Sequence, residues 1–139
     1  MGMRRFSRLL VASFLLALAA CAMAPSSMNP QDDALDNYGV AIRWNEFADA
    51  WSFVDPALRQ LQPLTELELE RFKQIQVTGY DLKGRSPTPD GGLEQTVEIR
   101  LINRNTQLER TIVDHQSWRW DQANKRYWLT SGLPDFTAN

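Results

Sequence analysis

The hydrophobic residues of the chain change their period once, from a helical spacing to an alternation. Between residues 40 and 54 the apolar side chains recur at steps of four, three, four and three, at Val40, Trp44, Phe47, Trp51 and Val54. This spacing predicts one face of a long helix that starts near Ala34. Leu35, Tyr38 and Ile42 form a second apolar edge, so the predicted buried face is broad.

Two short helices are predicted after the long one. Asp55 is followed by a proline, as an N-cap is by the first helical residue, and this predicts a helix over 56–61. Thr65 and Glu68 have the spacing of a capping box, which predicts another short helix ending near residue 72.

From Ile75 onward apolar and polar residues alternate, which predicts strands. The alternation slips at Gly79, and glycine tolerates a β-bulge. The stretch 84–92 is rich in glycine and proline and predicts a loop. Further strands are predicted around 97–101, 108–120 and 127–130. Helices followed by an antiparallel meander are the order of an α+β protein.

Composition limits the class of protein. The 139 residues are 43% apolar and 23% charged, which is ordinary for one folded domain. A single cysteine excludes an intramolecular disulfide framework and any cysteine-rich zinc site. The formal net charge of −2 lacks the basic footprint of a nucleic-acid binder. We therefore expect no nucleic acid among the partners.

The first 20 residues have the pattern of a secretory signal. They contain no acid, and three arginines precede an apolar run from Leu9 to Ala20. This run is shorter than the about 20 residues of a membrane-spanning helix. Its end, Leu18-Ala19-Ala20-Cys21, resembles the lipobox of bacterial lipoproteins.

The resemblance implies a signal peptide over 1–20 and lipidation of Cys21. Ala22 at the next position implies sorting to the outer membrane, with the domain facing the periplasm. Two or three acyl chains anchor a protein firmly, at about 0.8 kcal/mol per buried CH₂. Cleavage after Ala24 is the alternative and would release a soluble periplasmic protein. In the lipoprotein, residues 21–33 form the lipidated cysteine and a flexible tether that spans at most about 40 Å. Residues 34–139 form one α+β domain.

A larger resemblance rests on aromatic positions. The predicted long aromatic N-terminal helix, short helices and bulged antiparallel sheet resemble the nuclear transport factor 2-like (cystatin-like α+β) superfamily. A group of small proteobacterial lipoproteins is similar in the segments Arg43-Trp44-Asn45-Glu46-Phe47, Phe53-Val54-Asp55-Pro56, Val77-Thr78-Gly79-Tyr80, Trp118-Arg119-Trp120 and Tyr127-Trp128. The resemblance implies a long N-terminal helix and short helices packed on a curled four-stranded antiparallel sheet. These motifs mark a fold more than a chemistry.

His115, the one histidine, is the candidate catalytic residue. Enzymes of the superfamily place acids and histidines inside the curled sheet, so the resemblance implies a small lyase or isomerase as the alternative function. Asp49 or Asp55 could then approach His115 across the core, whereas Asp114 would point to the opposite face of the strand. A histidine on the sheet surface is the competing interpretation. No nucleophile triad, phosphate loop or metal-ligand spacing is present, so we predict no cofactor and no metal.

The five tryptophans have two interpretations. Trp44 and Trp51 share the predicted helix face and are expected in the core. Trp118, Trp120 and Trp128 lie close together in the last predicted hairpin. They either pack across the sheet or form an interaction surface.

The sequence favours a non-enzymatic binding or protein-interaction module of the cell envelope. The expected partners are the membrane, through the lipid anchor, and an envelope protein or a second copy of the chain. A small apolar ligand is the other expected partner. The absence of a catalytic constellation is the main reason for this choice.

Overall fold

The described chain has an α+β fold, as the order of its elements predicts. A computed structural model of the protein describes residues 29–137; the predicted signal peptide and the Cys21 site lie outside them. Within this range the elements are α1 (Pro30–Arg43), α2 (Phe47–Trp51), α3 (Pro56–Leu61), α4 (Glu66–Phe72), β1 (Ile75–Pro87), β2 (Leu93–Asn103), β3 (Glu109–Asp121) and β4 (Arg126–Leu129).

Helix α1 starts earlier than predicted. The side chain of Asn29 accepts a hydrogen bond from the backbone of Gln31, and Pro30 occupies the first helical position. Residues 30–33, predicted as the end of the tether, therefore belong to the helix. Asp32 and Asp33 lie in its first turn, where the helix dipole favours acids.

The prediction of a single long N-terminal helix was wrong, because the helix ends at Arg43. Asn45 adopts a left-handed conformation with φ of 64°. Its N–H donates to the carbonyl of Ile42, and the N–H of Glu46 donates to that of Ala41, at 3.1 and 2.8 Å. This is the Schellman arrangement that ends helices. The chain then turns into the separate helix α2.

The break also changes which face of α1 is buried. Leu35, Tyr38 and Ile42, the predicted second edge, are the residues that face the core, with exposures of 2% or less. Val40 is half exposed and Trp44 is 70% exposed. The expectation that Trp44 is a core residue was therefore wrong, whereas Trp51 is partly buried against the core.

The two short helices form where the caps predict them. The side chain of Asp55 accepts from the N–H of Ala57 at the start of α3, and Thr65 and Glu68 make the reciprocal bonds of a capping box at α4. Within residues 29–137 no helix is long and apolar enough to cross a bilayer.

The sheet is an antiparallel meander of order β1-β2-β3-β4. Its register between β1 and β2 shifts at Val77/Gly79, where the bulge was predicted, and again at Leu82/Gly84. Strand β1 continues to Pro87, so the predicted loop over 84–92 is shorter than the composition suggests. Helix α1 packs on one face of the sheet and closes the core there. The buried strand residues in this core are Ile75, Val77, Leu93, Val97, Ile99, Leu101, Ile112, Trp118 and Leu129.

Candidate functional site

A buried network of side-chain hydrogen bonds crosses the core face of the sheet. Gln95 on β2 and Gln116 on β3 are paired in register and are 5% and 1% exposed. Burying an amide is costly unless its hydrogen bonds are made. The two side chains meet each other: Gln95 Nε2 donates to Gln116 Oε1 at 2.6 Å.

Gln116 is the centre of this hydrogen-bond network. Its Oε1 also accepts from the indole Nε1 of Trp118 at 3.2 Å. Its Nε2 donates to Tyr80 Oη at 3.0 Å and to Asp114 Oδ2 at 2.7 Å. The amide therefore has partners for both donors and for its oxygen, which fixes its orientation.

At Gln95 the hydrogen-bond network reaches a charged group. Arg85 Nε donates to Gln95 Oε1 at 3.1 Å, and Arg85 Nη1 lies 3.4 Å from Asp32 Oδ1 on α1. The guanidinium is 29% exposed and the carboxylate 51%. A buried amide pair thus holds a partly exposed cation at the junction of α1 and β1.

This junction is an open groove of about 430 Å³. Its lining includes Leu35 and Val40 from α1, together with Tyr80, Leu82 and Gln95 from the sheet. The volume lies in the range of about 300–1,000 Å³ that is usual for small-molecule sites. We call this space the α1/β1 groove.

The α1/β1 groove differs from two other cavities in having a buried polar side chain in its wall. Cavities of about 710 and 930 Å³ lie around α4 and are larger. In the described chain the buried polar residues are Asp55, Gln95 and Gln116, and of these only Gln95 lines a cavity. Apolar walls with a few fixed polar groups are typical of ligand sites.

The ionisable groups in and near the hydrogen-bond network have shifted pKa values. Burial raises the pKa of Tyr80 to about 12, against a lowering by the hydrogen bond from Gln116. Burial likewise raises the pKa of Asp114 above its usual range. The pKa of Tyr38 is raised well above its ordinary value, first by burial and then by the charge of Asp114. The two phenols stay neutral at physiological pH, as hydrogen-bonding groups.

Tyr38 has one unusual property. Its hydroxyl is fully buried and has no hydrogen-bond partner within residues 29–137. Its ring packs edge-on against Phe53 and Trp118, with centroid distances of 6.0 and 5.2 Å. The core therefore contains a polar donor with unused capacity behind the groove.

His115 lies on the opposite face of the sheet and is exposed. Its Nδ1 is 3.1 Å from Thr96 Oγ1, and none of the three cavities is lined by it. Asp49 is exposed on α2, and Asp55 is bound by Arg119, with Nη2 2.6 Å from Oδ2. The structure does not bring His115 together with either proposed carboxylate.

Asp55 is instead part of a structural contact. Burial raises its pKa, but the hydrogen bonds from Arg119 and from the backbone of Ala57 outweigh that effect and hold it below the usual range. This carboxylate stays ionised and caps α3.

The three tryptophans of the last hairpin do not form one exposed surface. Trp118 is 3% exposed and belongs to the core. Trp128 is 7% exposed on the other face of the sheet, where the guanidinium of Arg126 lies 3.8 Å from its ring centroid. Trp120 is half-buried and stacks with Tyr127 at 4.9 Å. Of the two interpretations of these residues, packing within the protein is the one that fits the burial of Trp118 and Trp128.

Sequence reasoning missed the groove residues, although a signal was present. Gln95 lies between the buried apolar residues Leu93 and Val97 on the inward face of β2, and Gln116 lies on the inward face of β3 next to the buried Trp118. A polar residue at such a position is the informative exception to the pattern. No group of three metal-binding side chains occurs in the part of the chain that the structure describes.

Comparison with known proteins gives a fold and little more. No protein-family model matches the chain, and no curated protein matches it. The structure is similar to the solution structure of a SEC-C motif-containing protein from Rhodopseudomonas palustris, with a TM-score of 0.54 and 14% identity. The match covers 84% of each chain. It supports the α+β architecture.

Proposed function

We propose that the protein is a non-enzymatic binding module of the cell envelope, anchored to the outer membrane through Cys21 and binding a small amphipathic molecule in the α1/β1 groove. The observation that carries the binding role is the buried Gln116–Gln95 pair, which ends on Arg85 at the groove. The paired amides hold the Arg85 side chain in place at the groove, where its other N–H groups can bind a ligand. A ligand that uses the arginine gives the arrangement a role.

The anchoring part of the proposal rests on the sequence. A basic start, a short apolar run, small residues and Cys21 at the cleavage position occur together. Helix α1 begins at Pro30, so few residues separate the predicted lipid from the folded domain. The soluble secreted form, cleaved after Ala24, is the outcome that would replace it.

We further propose membership of the small lipoproteins with a nuclear transport factor 2-like domain, whose sheet is curled around its helices. The helices-then-meander order and the two register shifts in β1 support this. Bulges increase the local twist of a strand and so favour a curled sheet. The enzymatic alternative loses its support, because His115 is exposed and away from the cavities.

Lipidation is tested by metabolic labelling with an alkyne fatty acid. We expect the full chain to be labelled and to fractionate with outer membranes, whereas Cys21→Ser loses the label and leaves the membrane fraction. The matched control is Ser26→Ala, a change five positions along the same segment. A Cys21→Ser chain that keeps its label would show that the anchor is elsewhere.

Binding in the groove is tested with anilinonaphthalenesulfonate, whose fluorescence rises in apolar sites. Val40, in the groove, is 51% exposed, and Val113, on the opposite face of the sheet, is 58% exposed. We expect Val40→Gln to weaken binding of the dye about five- to tenfold, because it adds a polar group to an apolar wall. Val113→Gln is the matched control and should leave binding unchanged. Equal effects of the two changes would remove the groove from the proposal.

A further inference from the structure

We propose that the ligand of the α1/β1 groove is an amphipathic anion, an apolar chain or ring with one carboxylate, whose head group is held by Arg85, while Arg43 adds positive charge towards the other end of the groove. This inference rests on the binding function proposed above and adds the class of ligand.

The charges that line the groove favour an anion. Arg43 and Arg85 contribute two guanidinium groups, and Asp36 contributes one carboxylate. No residue between 29 and 137 makes a hydrogen bond or ion pair with the Arg43 side chain. A cation with no local partner attracts an opposite charge more readily than one already neutralised.

Arg85 is already oriented for a carboxylate. Gln95, itself fixed by Gln116, holds its Nε, so little side-chain freedom is lost when a ligand binds. Its Nη1 faces the carboxylate of Asp32 at 3.4 Å. Half-exposed pairs at such a distance contribute little stability, so an incoming carboxylate can replace Asp32.

The apolar part of the ligand has a place next to these charges. Leu35 is buried at the floor, while Val40 and Leu82 line the groove and are 51% and 52% exposed. Trp44 lies one helical turn beyond Val40 and is 70% exposed. Val40 and Trp44 form an apolar strip at the end of α1 that also carries Arg43, and Leu82 lines the groove from β1. A ligand with an apolar tail would cover them.

A cationic ligand fits less well. Its head group would have to use Asp36, an exposed carboxylate for which no side-chain hydrogen bond positions it, and Arg43 would repel it. The two charge types therefore make opposite predictions for the change Asp36→Asn. Removing this carboxylate should strengthen the binding of an anion and weaken that of a cation.

The test measures displacement of anilinonaphthalenesulfonate by three probes with the same tail: octanoate, octanol and octyltrimethylammonium. The protein is the full chain with Cys21→Ser, so that no attached lipid competes. We expect octanoate to bind most tightly. Arg85→Gln should weaken octanoate about tenfold, and Asp36→Asn should strengthen it about two- to threefold.

Because Arg85→Gln also breaks contacts with Gln95 and Asp32, a second variant is needed. Arg43→Gln removes an exposed guanidinium that no described residue binds, so the fold should be unaffected. It should weaken octanoate about threefold and leave octanol unchanged. Arg71→Gln, on exposed α4, is the control and should change neither.

The outcomes separate the two proposals. Equal binding of the three probes, or weaker octanoate binding by Asp36→Asn, would overturn the anion and leave an apolar binding groove. No displacement by any probe, with Val40→Gln behaving as Val113→Gln does, would overturn the binding function itself. Octanoate binding that ignores Arg85 and Arg43 but responds to Val40→Gln would place the tail in the groove and overturn the head-group assignment.

Discussion

Asp114 is the residue at which burial and charge conflict most clearly. Its carboxyl accepts from Gln116 Nε2 at 2.7 Å and lies on the core face of β3, where burial raises its pKa. His115 next to it in sequence lowers the pKa, but less than burial raises it. The folded protein therefore favours the neutral acid more than the unfolded chain does.

The effect of pH on this residue follows from that direction. Below the unfolded pKa of about 3.9 both states carry the proton and Asp114 has no cost. As pH rises through the unfolded and then the raised folded value, ionisation lowers the free energy of unfolding. Asp114→Asn should therefore become more stabilising relative to the natural chain as pH rises from about 4 towards neutral.

Urea unfolding at several pH values measures this difference. Asp49→Asn, at an exposed site on α2, is the control and should give a difference that does not grow with pH. A stabilisation by Asp114→Asn that is the same at both ends of the range would show that the buried carboxyl is not the cause.

At the scale of elements, Asn45 separates α1 from α2. Its left-handed backbone ends α1, and its Oδ1 accepts from the N–H of Val77 at 2.8 Å, which ties the break to the start of β1. The break falls between Trp44 and Phe47, although the helical spacing of apolar residues continues across it. Asn45 therefore determines both the end of a helix and the position of a strand.

Asn45→Ala should lower the free energy of unfolding by about 2–3 kcal/mol, because alanine is strained at positive φ and leaves the N–H of Val77 unpaired. Asn45→Gly removes the strain but not the second loss, and should cost about 1 kcal/mol less. Asn37→Ala, on the exposed side of α1, should change stability by less than about 0.5 kcal/mol. Thermal or urea unfolding gives all three values, and equal losses for the first two variants would contradict the strain argument.

The elements differ in how well the sequence predicted them, for physical reasons. The caps of α3 and α4 and the bulge at Gly79 are local signals, and each was confirmed. The break at Asn45 was missed because the apolar spacing continues across it; it rests on the left-handed conformation of Asn45 and on its hydrogen bond with Val77, which joins residues far apart in sequence. The second shift, at Gly84, fell inside a segment that composition predicts as loop.

The candidate site was harder to predict than the fold. It depends on a pairing of Gln95 with Gln116 and on Arg85 reaching Gln95 from a third strand. Register sets these contacts, and alternation alone does not fix register between strands. Only the presence of polar residues at inward positions was visible in advance.

At the scale of the whole molecule, the last residues close the core. Phe136 is 4% exposed, and its ring centroid lies 4.9 Å from that of Phe47 and 5.3 Å from that of Phe72. Its backbone carbonyl accepts from Arg110 Nη2. A segment with no helix or strand therefore joins α2, α4 and β3.

Phe136→Ala should lower the free energy of unfolding by about 3–4 kcal/mol, since it removes a buried ring and leaves a cavity between two others. Phe136→Leu fills part of that space and should cost less. Leu108→Ala, at a side chain that is 69% exposed, is the control and should change stability by under about 0.5 kcal/mol. Chemical unfolding monitored by circular dichroism measures each value. A loss below about 1 kcal/mol for Phe136→Ala would mean that the segment is dispensable for the fold.

The early start of α1 at Pro30 has a consequence for the proposed lipid anchor and the groove. With a lipid on Cys21, only eight peptide steps separate the bilayer from Asn29, a reach of roughly 28 Å rather than the longer one first expected. The α1/β1 groove is lined by α1, the helix that begins where this tether ends. On the proposed anchor, the α1/β1 groove is therefore confined to the layer next to the bilayer, where a molecule with an apolar tail is enriched because it partitions into the lipid.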